Sequence, residues 1–183
     1  MGLDLKRSDT PKVIQDFLLE ILNSTLHGAD RENIIERIRK FKYEFKDRPG
    51  WEKGSPKRVN NLTKYRKEEE RLGKANMPGH VRAAINWNNL RKMNSDNYSM
   101  AVVDGMKTIV CKLKPNPLGW TSIGYPTDEM HLPQWFKDLP FDDSKMEATV
   151  VDQKIDNLLG VLEWDLAAAT NTENTFTSLF TFK

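Results

Sequence analysis

The first quarter of the chain repeats apolar residues at three- and four-residue spacing, which predicts two amphipathic helices. In residues 8–28 the apolar stripe consists of Val13, Ile14, Phe17, Leu18, Ile21, Leu22 and Leu26. In residues 30–46 a second stripe consists of Ile34, Ile35, Ile38, Phe41 and Phe45. Thr10 or Asp9 is placed to cap the first helix, and Gly28 is placed to end it. Together the two segments predict an antiparallel helical hairpin.

Further along, the hydrophobic period changes from helical to alternating, which predicts a β-hairpin. Residues 107–114 and 120–125 have the composition of strands, and the segment between them, Pro-Asn-Pro-Leu-Gly, is dense in turn-forming residues. A short helical turn is predicted at residues 130–136 and a last amphipathic helix at residues 145–162. The sequence therefore predicts an α+β fold that is mainly α-helical, with a small β-hairpin subdomain in residues 101–145.

Positive charge is concentrated in residues 53–92, called the basic segment below. It holds eleven Lys or Arg and three Glu, a net charge of +8, whereas the whole chain carries only +2. Such a contrast is typical of a surface that binds a polyanion, although a solvated surface with a loose loop gives the same count. Amides and an aromatic residue lie among the cations, which favours nucleic acid as the polyanion: Asn60, Asn61 and Tyr65. We predict one helical turn at residues 59–65, an exposed loop or polar helix at 66–76, and an amphipathic helix at 79–90.

Composition excludes several classes of protein. With 183 residues, 38% hydrophobic and 30% charged, the chain predicts one domain, or one domain with a tail. The lone cysteine, Cys111, excludes an intrachain disulfide framework, and the three histidines lie too far apart in sequence to favour a zinc site. Without an apolar signal-peptide core or an apolar run long enough for a bilayer, we expect a soluble cytoplasmic protein.

The usual catalytic signals are missing from the sequence. It contains no GxxxxGK[ST], GxGxxG or GxSxG motif, and Cys111 is predicted to be a packing residue inside a strand. Two-metal phosphoryl transfer needs carboxylates that converge on one point. The Glu68 to Glu70 trio faces different ways, and Asp142 with Asp143 is typical of a helix start. We therefore expect no catalytic carboxylate site in this chain.

The C-terminal residues form a polar tether that ends in large apolar side chains. Residues 166–177 are rich in Ala, Thr and Asn, which predicts a flexible tail. The apolar side chains that follow are Leu179, Phe180 and Phe182. They are expected either to fold back into the core or to dock in a hydrophobic pocket of a partner, where the tether adds to another contact through effective concentration.

Five segments, in the same order along the chain, resemble the thumb domain of family B DNA polymerases from the T-even-like bacteriophage branch. Residues 1–18 resemble the junction where the palm passes into the first thumb helix. Residues 60–65 resemble the thumb segment Asn-Asn-Ile-Ala-Lys-Tyr, and residues 77–83 resemble Cys-Pro-Phe-His-Ile-Arg-Gly. Residues 116–126 resemble Asn-Pro-Phe-Gly followed by Ile-Ala-Trp-Pro. Residues 178–182 resemble the C-terminal peptide with which these polymerases bind the sliding clamp.

The resemblance implies which residues contact DNA. A thumb of this family wraps the primer–template duplex and touches its backbone and minor groove without reading sequence. The implied DNA-binding residues are Asn60, Asn61, Lys64, Tyr65, Lys74, His80 and Arg82. Lys64 and Tyr65 would contact the minor groove or primer strand, whereas Arg82 would lie near a phosphate or buttress the contact loop. His80 would contact DNA or pack the turn. Cations outside the matched motifs would add only to the electrostatic field and the solvation of this surface. They include Lys53, Lys67 and Arg91.

The resemblance also implies a division of the chain. Residues 1–165 would form a thumb domain, whose parts are a helical base (8–47), the basic segment (53–92), the β-hairpin subdomain (101–145) and the last helix (145–162). Residues 166–183 would be the tether and clamp-binding peptide, with Leu179, Phe180 and Phe182 in the clamp.

The implied function is that of a non-catalytic thumb, either a subunit of a split replicative polymerase or a segment cut from a longer chain. Its implied partners are a palm-containing polymerase chain, primer–template DNA and the sliding clamp, in the cytoplasm of an infected bacterial cell. No cofactor is expected in this chain, since magnesium would bind in the partner's palm. The alternative is a stand-alone, sequence-nonspecific DNA-binding module that recruits the clamp for regulation.

Overall fold

The fold combines α-helices with one three-stranded antiparallel sheet. The computed structural model describes residues 7–73 and 76–162. In chain order the elements are α1 (Lys12–Leu26), α2 (Arg31–Lys46), a 3₁₀ turn (Gly50–Glu52), β1 (Ser55–Arg58), α3 (Leu62–Leu72), α4 (Gly79–Met93), β2 (Lys107–Lys112), β3 (Ser122–Pro126), α5 (Gln134–Lys137), α6 (Asp143–Glu147), a π-helical segment (Ala148–Asp152) and α7 (Gln153–Val161). The predicted α+β, mainly α-helical class is confirmed. The predicted tail, residues 166–183, lies outside the described residues.

The chain divides into two compact units. Of the described residues, unit 1 holds 7–48 and 147–162, and unit 2 holds 49–73 and 76–146. Helices α1, α2 and α7 belong to unit 1, whereas the sheet and α3, α4 and α5 belong to unit 2. Each unit has an apolar core of its own.

In unit 1, α1 and α2 form the antiparallel pair that their apolar stripes predict. The rings of Phe17 and Phe41 stack with centroids 3.8 Å apart, and Arg37 donates two hydrogen bonds to Glu20, of 2.7 and 3.0 Å. The second contact lies three residues after Phe17 in α1 but four residues before Phe41 in α2, so the two helices run antiparallel. Leu26 does not join the core, because it lies at the last position of α1 and is 74% exposed.

The predicted cap of α1 is wrong. No side chain caps this helix, and Pro11 occupies the capping position in an extended conformation. Thr10 is unable to cap because its side chain is buried in the core, and Asp9 forms an ion pair with Arg7 instead. The side-chain amide of Gln15 donates to the carbonyl oxygens of Arg7 and Thr10, which ties the preceding segment to the helix but satisfies none of the N–H groups of the first turn. The other end agrees with the prediction, since Gly28 follows the helix with a φ of +80°.

In unit 2, α4 packs on the sheet, whose strand order is β1-β2-β3. The register of the predicted hairpin pairs Thr108 with Pro126 and Lys112 with Ser122. A Cβ added at Gly124 would lie only 3.4 Å from the Cβ of Ala83, so the close approach of α4 to β3 depends on small residues on both sides. Trp87 is fully buried at the centre of this core, against Tyr125, Trp135 and Phe136.

The basic segment is more ordered than predicted. Residues 55–58 form β1, a strand that the sequence analysis missed, and Pro56 is tolerated there because β1 lies at the edge of the sheet. The single turn predicted at 59–65 is wrong, since one helix, α3, runs from Leu62 to Leu72. The helix predicted after Pro78 is confirmed as α4, but its predicted amphipathic character is wrong, because residues 83–88 are all buried and six consecutive residues cover more than one full turn.

The predicted last helix is confirmed, but its middle, Ala148–Asp152, is π-helical. α6, the π-helical segment and α7 together cover the predicted range. The Asp142 carboxylate accepts a hydrogen bond from the backbone N–H of Lys145, so this residue starts α6 as predicted. It also forms an ion pair with the side chain of Lys145, and this contact lowers the pKa of Asp142.

Candidate nucleic-acid interface

Helix α3 has an inner face that attaches it to unit 2. Leu62 is buried, and Tyr65 packs against the core. One turn further, the Glu69 carboxylate accepts a hydrogen bond from the Arg82 guanidinium of α4. Positions 62, 65 and 69 follow one another at three- and four-residue spacing, so they share one side of the helix.

The opposite side of α3 carries a row of cations. Lys64, Lys67 and Arg71 also follow three- and four-residue spacing, and all three side chains are exposed. Within residues 7–73 and 76–162 none of the three has an ion-pair partner. This row, called the outer stripe below, spans about 10 Å along the helix axis, since each residue advances about 1.5 Å.

The start of α3 is held by a carboxylate from a distant loop. Asn61, which precedes the helix, adopts a left-handed φ of 61° and provides no side-chain cap. The carboxylate of Asp104 accepts instead, from the N–H of Leu62 at 2.5 Å and of Thr63 at 3.5 Å. Because a negative charge already satisfies this helix N-terminus, the outer stripe is the feature of α3 that suits a phosphate.

The loop that brings Asp104 to α3 is itself fixed to the edge of the sheet. The N–H of Gly105 donates to the carbonyl of Val59 at 2.7 Å, and the N–H of Val59 donates to the carbonyl of Met106 at 2.9 Å. The Arg58 guanidinium donates to the carbonyl of Gly105 at 2.9 Å. The position of the outer stripe is therefore set by the sheet of unit 2.

Other cations of the basic segment are already engaged. Lys53 is 1% exposed and lies 3.3 Å from the Asp143 carboxylate. This corrects the expectation that Lys53 adds only to the field and to solvation. Arg66 lies 3.8 Å from Glu70, its neighbour one turn along α3. Burial and pairing thus separate these cations from the outer stripe.

The predicted DNA-binding residues lie in different environments in the structure. Lys64 is on the outer stripe, and Asn60 and Asn61 are exposed in the lead-in to α3. Tyr65 is half-buried on the inner face, where Arg82 ties α3 to α4. Arg82 therefore has the geometry of the buttress that was one of its two expected roles. Lys74 lies outside the described residues.

Two residues of the outer stripe were missed by the sequence analysis. Lys67 was assigned only to the field, and Arg71 was not singled out. The signal was present as a three- and four-residue repeat of cations from Lys64 onward. Such a repeat places side chains on one face only if the segment is helical, and the sequence of residues 66–76 is compatible with a loop as well as with a polar helix.

His80 lies half-buried in the first turn of α4. Its pKa is lowered below the usual 6.5, mainly by burial and to a lesser extent by the positive charge of Lys57. The imidazole is therefore neutral at pH 7. His80 therefore binds a proton more readily in the unfolded chain than in the folded protein. The free energy of unfolding is not reduced by this difference above about pH 6.5, and it decreases as the pH falls below that value.

We expect duplex DNA to raise the pKa of His80 if phosphates approach Lys57 and His80, since they would offset the charge of Lys57. An NMR titration of the His80 ring with and without duplex measures this shift. His27 is exposed in unit 1 and serves as the internal control. An unchanged pKa would assign His80 to packing of the turn, the other expected role.

No metal cluster is present among the described residues, where no three His, Cys, Asp or Glu side chains come together. Cys111 is fully buried in β2, and burial raises the pKa of its thiol, as fits a packing residue. In the part of the chain that the structure describes, no helix has the length and apolar character needed to cross a membrane.

The chain is similar to a bacteriophage DNA polymerase. It is 26% identical to the DNA-directed DNA polymerase of Enterobacteria phage T4 over 128 residues, which cover 69% of this chain and 14% of that polymerase. No family model matches the chain. This similarity supports a relationship to phage DNA polymerases.

Proposed function

We propose that this chain grips primer–template duplex DNA as the thumb of a replicative DNA polymerase. The observation that carries the proposal is the outer stripe of Lys64, Lys67 and Arg71, in a chain related to a phage DNA polymerase. Its length of about 10 Å equals about three base-pair steps of roughly 3.4 Å. The stripe therefore suits successive phosphates of one strand.

Contacts of this kind hold DNA without reading it. Phosphate contacts fix the position of a protein on the duplex and carry no sequence information. A replicative polymerase must hold every sequence equally, so a row of cations on a buttressed helix suits a thumb. In this proposal Asn60 and Asn61, which precede the stripe, contact the sugar–phosphate backbone or minor groove. Tyr65 contacts them through the exposed part of its side chain, while Arg82 positions α3 through Glu69.

The chemistry of synthesis belongs to a palm-containing polymerase chain or segment, which in this proposal binds magnesium. The test is a primer-extension reaction with that palm-containing protein, with and without this chain, under conditions that allow one binding event per template. We expect longer products when this chain is present. Products of unchanged length at saturating concentration would contradict the proposal in its main claim.

A pull-down separates this proposal from the alternative of a stand-alone DNA-binding module. A thumb co-purifies with a palm-containing chain, whereas a stand-alone regulatory module recovers only the sliding clamp. Recovery of the clamp alone would favour the module.

The apolar residues of the tail are proposed to bind the sliding clamp. Replacing Leu179, Phe180 and Phe182 together with Ala should abolish clamp binding and leave duplex affinity nearly unchanged. The reason is that burial of such side chains contributes about 1.5–3 kcal/mol each to a docked peptide. Surface plasmon resonance against clamp and duplex separately measures both effects. An equal loss of both would show that these side chains instead stabilise the core.

A further inference from the structure

We infer that a groove at the turn end of the β2–β3 hairpin binds one unpaired nucleotide of a nucleic-acid strand, with its base on Trp120 and its phosphate on Lys112 and Lys114. The groove has a volume of about 500 Å³ and lies wholly within unit 2. This falls in the range of small-ligand pockets, about 300–1,000 Å³. The outer stripe of α3 takes no part in it.

The charge of the groove suits an anion. Lys112 and Lys114 are two residues apart along an extended segment, so they share one face, while Leu113 between them is buried on the other. Lys145 adds a third cation to the lining, at 2.9 Å from the Asp142 carboxylate. Among the described residues, the lining includes these three lysines and no Asp or Glu, so the groove presents positive charge to a phosphate.

Trp120 gives the groove an aromatic surface. Its side chain is half-buried, packing against the core while also lining the groove. The indole N–H groups of Trp87 and Trp135 donate to Met100 and Asp96. Trp120 makes no such bond with any residue that the structure describes. Its indole is therefore available to a ligand on the groove side.

One side chain holds both edges of the groove in place. The amide of Asn116 donates to the carbonyl of Lys114 at 2.8 Å and to the carbonyl of Trp120 at 2.7 Å. Its side-chain oxygen accepts from the N–H of Leu118 at 3.1 Å. Gly119 closes the turn with a φ of +67° and donates to the backbone carbonyl of Asn116. The backbone positions of Lys114 and Trp120, from which the cation and the aromatic ring extend, are thus fixed relative to each other.

The combination of an aromatic ring and cations selects an unpaired nucleotide over other anions. Bases of single strands stack on aromatic side chains while cations follow the backbone, and this mode tolerates any base. An acidic peptide without aromatic residues, such as polyglutamate, has no flat ring to stack on Trp120. A base inside a duplex is stacked on its neighbours, so this contact is separate from the duplex contact proposed for α3 and does not depend on it.

The test compares Trp120→Leu and Trp120→Phe by fluorescence anisotropy, using an oligothymidylate about five nucleotides long and an abasic strand of equal length. The wild-type protein should prefer the oligothymidylate. Trp120→Leu should weaken its binding about tenfold and leave the abasic strand unaffected. Trp120→Phe should retain most of the affinity. Duplex affinity should stay unchanged in both variants.

A second measurement serves if Trp120→Leu fails to fold. In the wild-type protein the Trp120 indole N–H resonance should shift on addition of the oligothymidylate. Lys112→Gln with Lys114→Gln should lower the salt slope of oligothymidylate binding by about 0.7, since the two lysines share one phosphate and each phosphate contact to a single strand contributes about 0.7. An unmoved indole resonance, equal affinity for the abasic strand, or equally strong competition by polyglutamate would overturn the inference.

Discussion

Replacing Lys64, Lys67 and Arg71 together with Gln should remove most of the salt-dependent affinity for duplex DNA. Each phosphate contact contributes about 0.9 to the slope of the logarithm of the binding constant against the logarithm of salt concentration. Loss of three contacts lowers that slope by about 2.7. A fourfold rise in salt should therefore cost the wild-type protein about 40-fold more affinity than it costs the variant. Fluorescence anisotropy with a labelled duplex over that salt range measures both.

The matched control removes the same charge from unit 1. Lys12, Arg31 and Lys40 are exposed on α1 and α2, and their replacement with Gln changes the net charge by the same amount. Gln has a helix propensity close to that of Lys and Arg, so the helices should persist in both variants. Equal losses in the two variants would mean that net charge, and not the outer stripe, binds DNA.

Replacing Gly54 with Ala should destabilise unit 2 and weaken duplex binding with it. A Cβ at this position would lie 2.6 Å from Cγ2 of Ile109, 2.7 Å from the carbonyl oxygen of Val110 and 2.8 Å from Sγ of Cys111. The obstructing carbonyl is backbone, so relief requires a shift of β1 away from β2. Overpacking of this kind costs about 1–3 kcal/mol, occasionally more. Urea unfolding followed by tryptophan fluorescence measures the loss.

Gly79→Ala is the control for this substitution. A Cβ at Gly79, the first residue of α4, meets nothing within 4 Å. Ala there should be neutral or stabilising by about 0.5 kcal/mol, because it restricts the unfolded chain. Equal urea midpoints for Gly54→Ala and Gly79→Ala would contradict the close approach of β1 and β2.

The elements that the sequence predicted well are those with long apolar repeats. α1 and α2 each bury a stripe that recurs at helical spacing, and that stripe is visible without knowledge of the rest of the chain. α4 was predictable from its apolar residues after Pro78, although the structure also buries the polar residues Asn86 and Asn88. The β2–β3 hairpin was predictable for a similar reason, since its strands flank a turn dense in Pro, Asn and Gly.

α3 was harder to predict because its sequence contains too few apolar residues to form a stripe at helical spacing. Of its eleven residues only Leu62 is buried, and Tyr65 packs beside it. Its start depends on Asp104, which lies 42 positions after Leu62. β1 was missed because it is four residues long and contains Pro56, which is compatible only with an edge strand.

The separation of exposed, unpaired cations from structural ones among the described residues also required the fold. Charge counting treats Lys53, Lys67 and Arg71 alike. In the structure Lys53 is buried beside Asp143, whereas Lys67 and Arg71 are exposed on the same side of α3. Arg82 gave a matching motif in the sequence, yet only its contact with Glu69 shows what it does for α3.

The central claim is that this chain holds duplex DNA through phosphates, without regard to sequence. The most direct test is the binding constant of the wild-type protein for two duplexes of equal length and shuffled sequence, measured over a range of salt concentrations. We expect the same affinity for both and a log–log salt slope of magnitude about three or greater. A flat salt response, or an affinity that follows the base sequence, would contradict the account.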